Sequence, residues 1–327
     1  MKAWVTPAHG ELVMTERPDP SPGDREVMIE VEACGICRTD LHVIDRELPE
    51  HRPSVIPGHQ IVGTVADTGA DVRRARRGDR VGIAWLRSTC GVCAWCMQGR
   101  ENLCPSSTYT GWDEDGGFAE YAVAHEAFAY ALRTDAPPAQ VAPLLCAGII
   151  GYRALSRAAL PPGGSLGLYG FGSSAHLAAQ VAAAAGARVF VLTRGEENRR
   201  LARELGAQFV GDERAEPPEP LDSAIVFAPA GELVPLALRA TTRGGTVVLA
   251  GIHMTDVPTL DYSADLFYER DLRTVTANTR ADGAAFLRLA ETLRLAPTVR
   301  EYAFEDVHAA IDDLRSGRAR GSLVMVR

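Results

Sequence analysis

A short glycine loop between two apolar runs sets the tightest limit on what this chain can fold into. Ser165-Leu166-Gly167-Leu168-Tyr169 reads as a buried strand, and Gly170-Phe171-Gly172-Ser173-Ser174-Ala175 follows it with the pattern G-x-G-x-x-A. A helix is expected from about Ala175 to Ala185, and Arg188-Val189-Phe190-Val191-Leu192 reads as a second strand. Glycines at such a turn let the backbone approach a pyrophosphate, and the helix start offers N–H groups and positive dipole to it. A glycine pattern alone says little; a strand before it, a helix after it and a second strand at the right distance make it a βαβ unit.

The alternation continues beyond it. Helices are expected at 196–205 and 232–240, and strands at 224–228, 246–250 and 272–276, which together imply a doubly wound sheet. The first part of the chain reads differently. Short strands at 3–5, 12–14, 27–33, 61–65 and 80–83, separated by glycine and proline turns, imply an irregular, mostly β unit. Two amphipathic helices, at 286–295 and 307–314, and a strand at 322–326 close the chain. A length of 327 residues exceeds the usual limit for one core, so two domains are expected.

The net charge of −8 argues against nucleic acid as a partner. No apolar run approaches the roughly 18–20 residues of a membrane span, and Met1-Lys2-Ala3-Trp4-Val5 enters strand-like sequence without an apolar signal core. A cytoplasmic location is expected. There, seven cysteines are better suited to metal binding or burial than to disulfides.

Four of them, Cys90, Cys93, Cys96 and Cys104, have the spacing C-x2-C-x2-C-x7-C, which lets four thiolates converge on one tetrahedral, structural zinc. A second cluster is dispersed. The stretch from Cys34 to His42 holds Cys37, Thr39, Asp40 and His42: a thiolate to bind, a carboxylate to orient, a hydroxyl and an imidazole to pass a proton. With His59 and Cys146 it offers three N/S ligands and leaves a fourth position open, as catalytic zinc requires.

These motifs, in this order, resemble the zinc-dependent medium-chain alcohol dehydrogenases, and within them the cinnamyl-alcohol-dehydrogenase-like group. The likeness rests on Cys37-Arg38-Thr39-Asp40-Leu41-His42, Pro57-Gly58-His59, the four-cysteine lobe, Cys146-Ala147-Gly148-Ile149-Ile150-Gly151-Tyr152 and the Gly170 loop, and so runs end to end. It implies an α/β chain with a GroES-like, mostly β catalytic domain at 1–147 and 279–327 and a doubly wound Rossmann cofactor domain at 148–278. It implies two zinc ions per chain: a catalytic ion on Cys37, His59 and Cys146, and a structural one on the lobe. Asp40 would orient His59, Thr39 would hydrogen-bond the alkoxide oxygen, and His42 would relay protons to solvent through the cofactor ribose. Cofactor contacts are implied at Arg38, Gly170, Gly172, Ser173, Ser174, Ala175, Thr193, Arg194, Ala228, Gly251, Ile252 and Arg320. Trp85, Leu86, Tyr109 and Trp112 fall near positions that shape the substrate pocket and suit flat aromatic or medium aliphatic aldehydes. A homodimer or homotetramer is implied, with strand 272–276 at the join.

Two departures stand out. Gln60 occupies a position where the family usually has glutamate, and Ala175 replaces the third glycine, a change this fingerprint tolerates. The second strand runs into Thr193-Arg194 with no acid at its end, so NADP(H) is expected over NAD(H). Cys34 reads as a buried thiol, and His51, His125, His253 and His308 belong to no motif. The competing readings are a zinc-independent quinone or enoyl reductase of the same fold and a non-catalytic NADPH- or zinc-binding protein. The three-ligand set argues against the first, and the Thr39-Asp40-His42 relay against the second.

Overall fold

The structure, a computed structural model, describes residues 1–327. It divides into two compact units. One holds Met1–Cys146, Asn278–Arg288 and Ala296–Arg327; the other holds Ala147–Ala277 and Leu289–Leu295.

The first unit is organised by β3 (Glu26–Ile36), which follows the hairpin of β1 (Lys2–Val5) and β2 (Val13–Glu16). Val27, Ile29 and Val31 are buried while Glu30 faces out, as strand alternation dictates. From Ala33 onward every β3 residue is buried, so the end that leads into Cys37 is enclosed on both faces. Helix α1 (Arg38–Ile44) starts at once, and β4 (Gln60–Thr68), β5 (Arg80–Ile83), β6 (Leu86–Ser88) and β7 (Thr108–Tyr109) follow. The one-turn helix α2 (Ala94–Met97) lies between β6 and β7, and β8 (Tyr121–His125), β9 (Ala129–Ala131) and α3 (Pro138–Val141) complete this part.

The second unit runs α4 (Ala147–Ala158), β10 (Ser165–Tyr169), α5 (Ser173–Ala184), β11 (Arg188–Leu192), α6 (Glu196–Glu204), β12 (Phe209–Gly211), β13 (Leu221–Val226), α7 (Leu233–Ala240), β14 (Thr241–Leu249) and β15 (Asp271–Thr274). Its six strands are parallel, in the order β12-β11-β10-β13-β14-β15. The order reverses beside β10, and ligands of doubly wound sheets bind at that switch point. The Gly170 loop leaves β10 there.

The chain returns to the first unit through α8 (Arg280–Leu293), β16 (Val299–Ala303), α9 (Val307–Arg315) and β17 (Ser322–Val326). Strand β17 pairs with the enclosed end of β3, Leu323 opposite Ile36, and β8 takes the other end. Val307, Ile311, Leu323 and Met325 thereby join Ile29, Ile61, Ile83 and Phe118 in one apolar core.

Three expectations needed correction. Helix α8 starts at Arg280 rather than 286, because Thr279 and Asp282 exchange side-chain and backbone hydrogen bonds as a capping box, and Gly283 inside it packs under Tyr130. Strands β6, β7, β8, β9, β12 and β16 were not expected; β6, β7, β9 and β12 have only two or three residues each, too few for alternation to show. One helical run, Pro138–Ala158, does have the length and apolar composition of a membrane span. Most of it is buried inside the protein, so its apolarity is that of a core segment.

Candidate active site and metal centres

Cys37 is presented by the junction of β3 and α1. It is the extended residue before the helix, with φ −140° and ψ −179°, and its N–H donates to Asp40 Oδ2 at 2.8 Å. The other oxygen of Asp40 accepts the Gly58 N–H at 3.1 Å and lies 3.3 Å from His59 Nδ1. One buried carboxylate thus positions two ligand-bearing segments. Gly58 has φ +94°, and a Cβ there would stand 2.5 Å from Phe118 and 2.8 Å from Cys34 Sγ, so the loop that delivers His59 needs glycine at this point. Cys34 is the buried wall its sequence context implied. His59 Nε2 lies 3.5 Å from Cys37 Sγ. Cys146, after the turn of 3-10 helix at Ala142–Leu145, completes a set whose ligand atoms all lie within 4.8 Å of one another.

The charges in this pocket call for a cation. Cys37 is held well below the ordinary thiol range: the Cys146 thiol donates to it, burial opposes this, and His59 and the Thr39 hydroxyl add to the lowering. Burial raises Asp40. Burial alone would lower His59, but the Cys37 and Asp40 charges outweigh it and push the imidazole up to about 10. A proton on a buried imidazole here stands in for a positive ion among anionic groups. The Cys37 bond and burial push Cys146 up, so it keeps its proton here. Two cysteine sulfurs and an imidazole, with a carboxylate behind the imidazole, are the donor set zinc binds once both thiols are deprotonated, with its outer partner. The residues fit the metal.

The lobe at 90–104 is built differently. Cys93 and Cys96 sulfurs are 3.6 Å apart, those of Cys90 and Cys96 4.0 Å, and Cys104 lies with them inside the same 4.8 Å limit. Backbone N–H groups of Val92 and Cys93 lower Cys90 to about 6. Four sulfurs fill a tetrahedron and leave no open position. Glu101, between Cys96 and Cys104, is buried and takes several hydrogen bonds from the Arg280 guanidinium, the shortest at 2.6 Å. The guanidinium also covers the Phe128 ring at 4.6 Å.

In the second unit, Gly170 has φ +86°, and a Cβ there would sit 2.9 Å from the Ala228 nitrogen. Gly172 caps α5, and a Cβ on it would meet nothing within 4 Å. The helix therefore opens with uncovered backbone, the cradle a phosphate group needs. Ala175 is fully buried, where the absent third glycine would lie. Thr193 is buried after β11, and its N–H donates to Gly211. Arg194 is 72 % exposed and paired with Glu213 at 3.0 Å. Ala228 follows β13, Gly251 and Ile252 follow β14, and Ile252 is exposed.

Residues 23–134 match the alcohol dehydrogenase GroES-like domain, and residues 175–292 match the zinc-binding dehydrogenase domain. Over its whole length the chain is 52 % identical to the probable alcohol dehydrogenase AdhA of Mycobacterium tuberculosis (strain CDC 1551 / Oshkosh), covering 97 % of that protein. The chain belongs to the zinc-dependent medium-chain alcohol dehydrogenases, in the cinnamyl-alcohol-dehydrogenase-like group. Among solved structures, a cinnamyl alcohol dehydrogenase of Sorghum bicolor superposes with a TM-score of 0.89 at 30 % identity, over 99 % of this chain and 97 % of that one. The CAD of Helicobacter pylori, solved with NADP(H), does so with a TM-score of 0.91 at 25 % identity and the same coverage.

For an alcohol dehydrogenase the surroundings of the three-ligand set matter as much as the ligands. Trp85 meets the edge of His59 at 4.9 Å. Tyr109 and Trp112 lie nearly parallel to Trp85, at 5.0 and 5.9 Å between ring centres. His51, which belonged to no motif, extends this row by stacking on Trp112 at 4.2 Å, and Asp113 holds it from the side. Leu86 is buried. Arg38 is exposed at the first position of α1, and Arg320 is half-buried before β17. Nothing local marks His51 or the Glu101–Arg280 pair, since each depends on a partner far along the chain.

Proposed function

We propose that this alcohol dehydrogenase holds two zinc ions and works with NADP(H), reducing flat aromatic or medium aliphatic aldehydes and oxidising the matching alcohols. The observation that carries the proposal is the convergence of Cys37, His59 and Cys146 with Asp40 behind them and an aromatic row starting at His59. When bound, zinc polarises the carbonyl oxygen as a Lewis acid and the nicotinamide supplies hydride to the carbonyl carbon. Asp40 fixes the His59 ring and strengthens it as a donor. The Thr39 hydroxyl holds the proton the reduced oxygen needs, and His42 replaces that proton from solvent. Trp85, Tyr109 and Trp112 present aromatic surface to a planar substrate.

Gly170, Gly172, Ser173, Ser174 and Ala175 would bind the pyrophosphate. Ala228, Gly251 and Ile252 would line the nicotinamide half. Thr193 removes the acid that would repel a 2′-phosphate, and Arg194 offers a guanidinium to it. Glu213 shares that guanidinium, which makes the expected preference moderate. The unpaired side of β15, with exposed Tyr262, Phe267, Tyr268 and Leu272 nearby, supports a homodimer joined through that edge. Seven unpaired cysteines suit a reducing cytoplasm.

The test is the initial rate of cinnamaldehyde reduction with NADPH and with NADH, before and after zinc chelation. Chelation-sensitive turnover favouring NADPH is expected. Equal rates with NADH would remove the cofactor assignment and leave the zinc chemistry standing. Turnover unaffected by full zinc removal would remove the zinc chemistry itself.

A further inference from the structure

His42 lies on α1 with its side chain only 7 % exposed, and its Nδ1 meets Oε2 of Glu47, whose side chain is 48 % exposed. The backbone builds this pair. The chain leaves α1 at Ile44, Arg46 takes a left-handed conformation with φ +50°, and the N–H groups of Glu47 and Leu48 return to the His42 carbonyl at 2.9 and 3.3 Å. The other charges of this turn are directed elsewhere: Asp45 bonds Arg315, and Arg46 pairs with Glu50 at 3.2 Å. Glu47 is the carboxylate folded back onto the imidazole.

We propose that Glu47 is the positioning residue of the proton relay, a step that rests on His42 being the relay's terminal group. A carboxylate accepts and does not donate, so Nδ1 carries the hydrogen and Nε2 is the nitrogen that exchanges a proton with the reacting side. In alcohol oxidation the O–H bond would break and its proton would pass by way of the Thr39 hydroxyl toward Nε2, while a bound nicotinamide would take the C–H electron pair as hydride. The Glu47 carboxylate holds the ring at Nδ1 while Nε2 is protonated, as the carboxylate of a catalytic triad holds its histidine. The ring then releases the Nε2 proton to water and returns to the Nδ1–H form. One proton is released per turnover, Glu47 keeps its charge throughout, and reduction runs the same steps backward.

The test compares the wild-type holoenzyme with Glu47→Ala, Glu47→Gln and His42→Gln. In protein labelled with 15N-histidine, the His42 ring of the wild type is expected to be the Nδ1–H tautomer before any substrate is added. Glu47→Ala is expected to lose that preference, and its kcat to fall roughly 10- to 100-fold with KM within about twofold, part of what general acid–base transfer contributes. The solvent deuterium isotope effect on kcat should rise as the proton step becomes slower. Glu47→Gln keeps an acceptor without the charge; it should keep the tautomer and recover only part of the rate. If Glu47→Ala does not fold, Glu47→Gln decides alone, and a wild-type kcat and isotope effect in it overturns the proposal. An unchanged rate in His42→Gln removes the relay reading and the proposal with it. A slow His42→Gln beside a Glu47→Ala with wild-type rate and tautomer keeps the relay and overturns the role of Glu47.

Discussion

Cys90, Cys93, Cys96 and Cys104 all come from one short loop, whereas Cys37, His59 and Cys146 are brought together by a helix start, a glycine turn and the end of a 3-10 turn. The loop set is partly exposed, and its sulfurs are ordered by nearby backbone N–H groups. The dispersed set is backed by a buried carboxylate and enclosed by the sheet. The first makes its geometry locally and offers four ligands; the second inherits its geometry from the whole unit and offers three. Losing a ligand should therefore cost local order in one case and chemistry in the other.

The sharpest way to break this comparison is to remove one sulfur from each. Cys146→Ala should lower aldehyde reduction by about a thousandfold or more, since Lewis-acid stabilisation is worth several kcal/mol, with little change in melting temperature. Cys93→Ala should keep kcat within about tenfold and melt earlier. Metal analysis should find one zinc fewer in each. Loss of kcat in Cys93→Ala with a retained catalytic zinc would show that the lobe shapes the active site directly.

A smaller effect concerns how the lobe is tied down. Burial alone would raise the Glu101 carboxyl, but the hydrogen bonds and charge of Arg280 hold it below its ordinary value. A depressed carboxylate stabilises the fold fully above the ordinary carboxylate range, and this stabilisation fades as pH falls through the lower folded value. Glu101→Gln should therefore cost about 1–2 kcal/mol at neutral pH, the size of a charged hydrogen bond partly screened by solvent, and the gap to wild type should narrow as pH drops below about 4. Urea unfolding at a series of pH values measures it; a pH-independent gap would mean that packing, not charge, anchors the lobe.

The smallest effect separates the two sets by their aromatic neighbours. Trp112→Ala should reduce the preference for cinnamaldehyde over a small aliphatic aldehyde by up to about tenfold, or roughly 1 kcal/mol of ring packing. Trp95→Ala, on the exposed lobe under Arg100, should leave that ratio unchanged. Equal shifts in both would remove the aromatic row from substrate selection.

Much of this architecture was legible because its signals are local. The glycine loop announces β10 and α5 through two adjacent strands and a turn that only certain residues accept. The convergence of the four cysteines is legible for the same reason: their spacing already brings the sulfurs together. What could not be read was set by partners distant in sequence. Gly283 packs under Tyr130, and β16 exists because β17 lies beside it. His51 acquires a place only when Trp112 and Asp113 arrive from another loop. The pairing of His42 with Glu47 is short in sequence, yet it depends on the left-handed turn at Arg46, which a non-glycine residue does not advertise.

The pairing of β17 with the far end of β3 bears on the order in which a growing chain becomes able to hold metal. Leu323 lies opposite Ile36, one residue before Cys37, so the segment that carries this ligand gains its second neighbour only when residues 322–326 leave the ribosome. The four sulfurs at 90–104 are all made long before that point. At about 5–20 residues per second, synthesis leaves an interval of many seconds in which the lobe is ready for zinc while the bed of Cys37 is still unbraced. If both sets take up zinc, translation would stage the loading, with the ion of the 90–104 lobe first and that of Cys37, His59 and Cys146 last.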